Sequence, residues 1–441
     1  MAGSAVTGDC VVARQHQTNT QGLTVGHPGE LFFNSTPPVA IANLGNLEMK
    51  KVLLGTTALL GAGLVASPAF AADGIKLGVG GFFKEAYMVV FDDDSEGELG
   101  NEHNTDGFFN DAEVHFTGST VLDNGLEVGA RIELEGENDS DQIDEAWIYF
   151  SGGFGEVRIG SDDEALANAC IVPPGGTGNF SAFSPNQWGA NVASLASSFG
   201  LTSNTVCTGV DDSGDAQKII YITPNFGGFQ LTASYTPEGG AQNHTDGVGP
   251  HIGMPTNNDN ESRHNVSVYG NYSYEGDGWG LSAGLGGSWE GHVEQTPGSD
   301  RKPQSFYQGG LNLTFGNFAI GGVIEYFHHL LDQGPNASTT PPFSTDADID
   351  AWVAGGGISY TMDAWTVGAQ YSHQDTDDDA SGGTDFTMDR AVLTGNYAMG
   401  PGINIDAELG YTWTDTDPEN GGGFDDDYQG LEIGIGTNIT F

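Results

Sequence analysis

The chain has 441 residues, and 60 aspartates and glutamates against 12 lysines and arginines leave it a formal net charge of −48 at pH 7. Such acidity excludes nucleic acid as a partner, because phosphate binding needs clustered Lys and Arg. A 10% aromatic content, with recurrent alternation of Ile, Val, Leu and Tyr, excludes a wholly disordered chain.

Residues 1–48 show no periodicity and read as an over-extended start, with Met49 as the initiator. Met49-Lys50-Lys51 leads into an apolar run from Val52 to Ala66 and then Ser67-Pro68-Ala69-Phe70-Ala71. A basic flank, a short apolar stretch and small residues at the exit make residues 49–71 a secretory signal peptide, cut after Ala71. The run is too short for a transmembrane helix, which needs ~20 residues. No later stretch is longer, so if residues 72–441 cross a membrane they do so as strands.

From Gly74 the period-2 segments come in order, with short joints alternating with long ones. The pattern predicts strands over Ile75–Phe91 and Gly107–Val121, then a tight turn at Asp123-Asn124-Gly125 into Leu126–Glu137. Ile143–Ser151 and Gly155–Ser161 follow, and then the longest break, Asp162 to Ala216. Beyond it come Gln217–Pro224, Phe229–Pro237, Arg263–Glu275, Gly280–Glu290, Gln304–Phe315, Phe318–His328, Ile349–Thr361, Trp365–Gln374, Phe386–Ala398, Ile403–Thr414 and Tyr428–Phe441. The even count, the joint alternation and segments near the ~9–11 residues of a tilted membrane strand point to a closed barrel. A soluble sandwich would need apolar material for a core, and none is in evidence. The facing of the first strand stays open, because Lys84 and Glu85 are adjacent.

The last strand carries Leu431, Ile433, Ile435 and Ile439 on one face and stops on Phe441, with Thr437 departing from the alternation. An apolar edge recruits other chains unless a barrel closes it. Cys170 and Cys207, an even pair in an exported chain, predict a disulfide closing a loop of about 37 residues, contributing ~3–4 kcal/mol in the chain-entropy model. More than 50 residues without strands is unusual unless the loop is functional. With its acidic ends (Asp162, Asp163, Glu164; Asp211, Asp212, Asp215) and its apolar middle, it either packs on the inner barrel wall or lies on the rim.

The hairpin from Glu145 to Gly160, containing Trp147-Ile148-Tyr149-Phe150 and Glu156-Val157-Arg158-Ile159, resembles the one preceding the constriction loop of general Gram-negative porins. Lys218 to Leu231 resembles the hairpin that follows that loop. With the Asp123-Asn124-Gly125 turn and the terminal Phe441, residues 72–441 are similar to the alphaproteobacterial branch of the family. The resemblance implies an all-β fold, a 16-stranded antiparallel transmembrane barrel with a long third loop, about residues 162–216, folded into the lumen. It also implies a homotrimer in the outer membrane and reading of Phe441 by the barrel-assembly machinery.

In that family, acidic residues of the third loop face wall bases across the pore. Parity points Arg131, Arg158 and Arg390 inward here, opposite Asp162, Asp163 and Glu164, a thin set of bases for a strong transverse field. Inward parity also makes Glu113, Glu133, Glu135, Glu325, Asp406, Glu408 and Glu432 a lumen lining that attracts cations. Acidic clusters in the outer loops, Asp92, Asp93 and Asp94 and also Asp377 and Asp379, could hold calcium and bridge to lipopolysaccharide, or be simply solvated. No catalytic motif is present. The expectation is a cation-selective diffusion channel and not an enzyme; the alternatives are a substrate-specific outer-membrane channel and a plugged structural or adhesive barrel.

Overall fold

The computed structural model describes residues 74–92, 104–136, 143–183, 206–207, 216–239, 262–292, 302–332, 348–378, 384–418 and 428–441. The proposed leader, residues 1–71, lies outside them. The strands are β1 Lys76–Asp92, β2 Asp106–Val121, β3 Glu127–Glu135, β4 Ala146–Gly152, β5 Gly155–Ser161, β6 Gln217–Ile222, β7 Phe229–Glu238 and β8 Ser262–Gly276. They continue as β9 Trp279–His292, β10 Gln304–Phe315, β11 Phe318–Asp332, β12 Asp348–Met362, β13 Trp365–Asp378, β14 Thr384–Gly400, β15 Ile403–Pro418 and β16 Gln429–Thr440. Among the described residues a single short helix, α1, spans Ala165–Ala169. Each strand pairs antiparallel with its sequence neighbours, and β1 pairs with β16, so the sheet closes as a barrel of sixteen strands. Among the described residues no helix is long and apolar enough to cross a membrane.

The alternation that predicts the strands also sets their facing. Ile403, Ile405, Leu409 and Tyr411 of β15 are exposed on the outside, while the alternate residues Asp406, Glu408 and Thr412 are buried inside. A closed sheet satisfies its own backbone hydrogen bonds, leaving the apolar face free to meet lipid. Aromatic pairs collect at both ends of the wall. Tyr274–Trp279 and Trp365–Tyr397 sit by the short turns, and Trp289–Tyr307 and Tyr411–Trp413 lie toward the long-loop end. These are the two interfacial girdles of a membrane barrel.

The seam is closed by the last residue. Beyond the β1–β16 ladder, Phe441 and Gly81 exchange both backbone hydrogen bonds, each at 3.0 Å. The facing of β1 is settled by Ala86 and Met88, which are buried against Phe180 inside the barrel. Lys84 shares their face, and Glu85 therefore points outward, level with Asn110 on β2 and Thr437 on β16.

Two expectations need correction. Several strands run further toward the long loops than predicted: β11 to Asp332, β13 to Asp378 and β15 to Pro418. Above the bilayer both faces are wet, so the ladder continues without an apolar face to announce it. Asp377 thus belongs to a strand, not a loop, and is exposed opposite Asp350, while Asp92 is the exposed end of β1. Asp93, Asp94 and Asp379 lie outside the described residues. The second correction concerns the interior, which does contain an apolar core. Phe306, Val323, Phe327, Ile349, Val353, Phe386, Met388 and Val392 of β10–β14 enclose Ala182, Phe183, Val206 and Cys207.

Candidate functional site: the inner wall and the segment laid on it

After β5 the chain turns into the barrel and follows the wall. Ser234 of β7 and Ser267 of β8 accept from the first free N–H groups of α1, Ala165 (3.0 Å) and Leu166 (2.8 Å). These side chains satisfy donors that a helix N-terminus leaves open. Asn271 of β8 then donates to Ala169 O (2.7 Å), Gln308 of β10 to Ile171 O (2.8 Å) and Asn312 of β10 to Val172 O (2.9 Å). Further round, Gln370 of β13 donates to Pro173 O (3.0 Å) and Thr394 of β14 to Gly175 O (2.5 Å), and Asp406 of β15 accepts from Asn179 (2.8 Å). After Phe180 the chain turns back to β13, where Ser372 donates to Ala182 O (2.7 Å). Amide and hydroxyl side chains thus capture the backbone of a segment that has no ladder of its own, as buried polar groups require.

Cys170 and Cys207 are disulfide-bonded. The Cys207 N–H donates to Glu325 of β11 at 2.8 Å, tying the far end of the loop to the same wall.

Among the described residues, that path covers the inner face from β7 round to β16 and leaves most of the inner face of β1–β5 uncovered. Here two of the three expected bases, Arg131 and Arg158, gather with two residues the parity reading passed over, Lys84 and Lys218. Lys84 of β1 meets Asp111 at 2.6 Å. Arg131 of β3 meets Glu133 and lies 3.1 Å from Nδ1 of His115. Arg158 of β5 meets Glu156 at 2.7 Å and Asp162 at 3.0 Å, its guanidinium 4.6 Å from the Trp147 ring centroid. Lys218 of β6, buried, contacts Asp162 O. Its signal was in the sequence: Ile219 and Tyr221 face outward, so Lys218 between its neighbours must face in.

The acids are distributed differently from the expectation of a loop facing a basic wall. Asp162 sits beside Arg158 on one wall, and the backbone N–H of half-buried Asp163 donates to Glu145 Oε1 (3.2 Å). Glu164 is buried against Ser288 of β9. The stretch 165–183 contains no charged residue. Glu113, Glu133, Glu325, Asp406, Glu408 and Glu432 do point inward, but none is more than 4% exposed; Glu135 is half-buried. Arg390, also buried, does not border the lumen: it bridges Glu408 (2.7 Å) and Glu432 (2.6 Å) between β14, β15 and β16.

A closed barrel with an apolar outer face, two aromatic girdles and an inner wall carrying many charged and amide side chains is a membrane channel architecture. A family model for Gram-negative porins matches residues 55–417, and the chain belongs to that family, placing it in the outer membrane. A monosaccharide porin from a Halomonas species is 23% identical over 390 residues, spanning 75% of this chain and 97% of that protein. Among solved structures, an anion-selective porin from Comamonas acidovorans superposes with a TM-score of 0.52 at 17% identity, covering 83% of this chain and all of that one. The trimer form of OmpT from Vibrio cholerae gives 0.52 at 14% identity, covering 84% and 100%.

Proposed function

We propose that the chain forms a water-filled channel for passive diffusion of small hydrophilic solutes and ions, with a preference for cations. The supporting observation is the lumen-side wall: Lys84, Arg131 and Arg158 are each held by at least one carboxylate, and Glu135 lies among them half-buried. Bases neutralised in place give an anion little to bind, and surplus fixed negative charge in a pore concentrates cations. The anion-selective neighbour shares the fold, and its selectivity does not transfer at this identity. In a planar bilayer across a salt gradient, the reversal potential should take the sign of cation preference. An anion-preferring sign defeats the reading.

A second reading, a channel for one solute class, is favoured by the relative named for monosaccharides and by the Trp147 ring under Arg158 on the open wall. The same recording separates the two: glucose that blocks conductance saturably supports the specific channel.

The working unit is a trimer in this reading. Glu85 points out of the wall opposite Asn110 and Thr437, flanked by exposed Phe83 and Ile435. A carboxylate on the lipid face is unfavourable, so a neighbouring subunit is the natural cover. Native mass spectrometry from mild detergent should give three chains; a single-chain mass under the same conditions rules the trimer out.

A further inference from the structure

On the open wall, Glu113 and His115 stand two residues apart on β2, and Glu133 of β3 faces His115 across the ladder. One oxygen from each carboxylate and a ring nitrogen of His115 all lie within 4.8 Å of one another. Nε2 of His115 touches Glu113 Oε2 and is 3.3 Å from Glu133 Oε2. Both glutamates are 1% exposed, whereas the imidazole keeps a 15% exposed edge toward the lumen. Glu133 Oε2 is buried within the cluster.

We propose that Glu113, His115 and Glu133 bind a divalent transition-metal ion of the zinc or copper kind. Two carboxylates and one imidazole are a ligand set these ions favour, in a three-ligand site whose remaining position is open to pore water. Calcium and magnesium, which take oxygen ligands, gain nothing from the imidazole. A dication between two buried carboxylates also replaces their mutual repulsion with attraction.

Arg131 supplies the second layer to Glu133 alone. Its Nε holds Glu133 Oε1, leaving Oε2 for the metal, and its Nη2 donates to His115 Nδ1 at 3.1 Å. That donation places the ring proton on Nε2 before binding. Coordination moves the proton to Nδ1, so Arg131 must release the ring while keeping Glu133; no proton is gained or lost by the imidazole.

Metal binding needs no open channel, so it is measured directly by titrating the purified full-length protein with zinc chloride in a calorimeter. Millimolar calcium is kept present to occupy sites made of carboxylates alone. His115→Gln and Glu133→Gln should each weaken the zinc affinity by at least ~10–100-fold, the loss that removal of even an outer-shell partner of a metal site produces. Zinc should also block current through the wild-type pore, scaled to each variant's own metal-free conductance, and block the variants less. Either of two results overturns the site: no zinc uptake by the wild type at millimolar zinc, or His115→Gln and Glu133→Gln binding as tightly as wild type. If His115→Gln does not fold, the isosteric Glu133→Gln carries the comparison alone. An absence of current with intact zinc binding would count against the channel reading and leave the metal site standing.

Discussion

Arg390→Ala will destabilise the barrel by about 3–5 kcal/mol, the scale on which removal of one member of a buried ion pair acts. The guanidinium lies between Glu408 (2.7 Å) and Glu432 (2.6 Å), and its Nη1 also donates to Thr412 at 3.0 Å. All three charged side chains are essentially inaccessible to water. Room for the carboxylates comes from Gly410, where an added Cβ would lie 2.8 Å from Glu408 Oε1 and 3.0 Å from Glu432 Oε2. Without the arginine, two buried carboxylates face one another across the β15–β16 ladder with no counter-charge. Urea unfolding in lipid vesicles, followed by the gel shift between folded and unfolded barrel, reads the loss as a lower midpoint. The triple variant Arg390→Met, Glu408→Gln, Glu432→Gln should regain most of it, because it removes the charges together. Arg390→Lys should fall between, since an ammonium cannot reproduce the two-armed contact. A wild-type midpoint for Arg390→Ala would show that the triad contributes nothing.

How far the sequence discloses this triad shows what is legible in such a chain. Alternation on β15 placed Asp406 and Glu408 inside, and the parity of β14 placed Arg390 inside, all as the structure has them. Which of them meet depends on the stagger between three strands, and periodicity within a strand carries no information about register between strands. The interior core was hidden for a related reason. Phe306, Phe327, Ile349, Val353 and Met388 occupy inward positions on strands that also have apolar outward faces, as Leu311, Ile324 and Ile358 do. Apolar residues on both faces blur a period-2 pattern, and their meaning appears only once Ala182, Phe183, Val206 and Cys207 are laid against them. The Cys170–Cys207 pairing followed from residue type and export alone. The path of residues 165–183 did not, because it is written in isolated Ser, Asn and Gln side chains on distant strands.

That path also explains part of the glycine content, and it yields the prediction with the largest expected effect on conduction. On the inner face of β12 and β13, a Cβ at Gly357 would lie 1.9 Å from Pro174 O, and one at Gly368 would lie 2.2 Å from Gly175 O. The loop backbone rests directly on a wall stripped of side chains. Gly368→Val must therefore move Gly175 by about 1 Å or more, enough to restore an ordinary C···O contact of ~3.3 Å. The wall is continuous behind it, so the only direction open is toward the barrel axis. The shift also strains the bonds from Gln370 to Pro173 O and from Thr394 to Gly175 O, each worth ~1 kcal/mol. Single-channel conductance should fall for Gly368→Val and further for Gly357→Val, where the clash is tighter. Gly395→Val makes the same change in strand propensity on β14, where nothing lies within 4 Å of the new Cβ, and should conduct as wild type. Equal conductance in all three variants would mean that the loop yields without entering the pore, and that these glycines do not set its width.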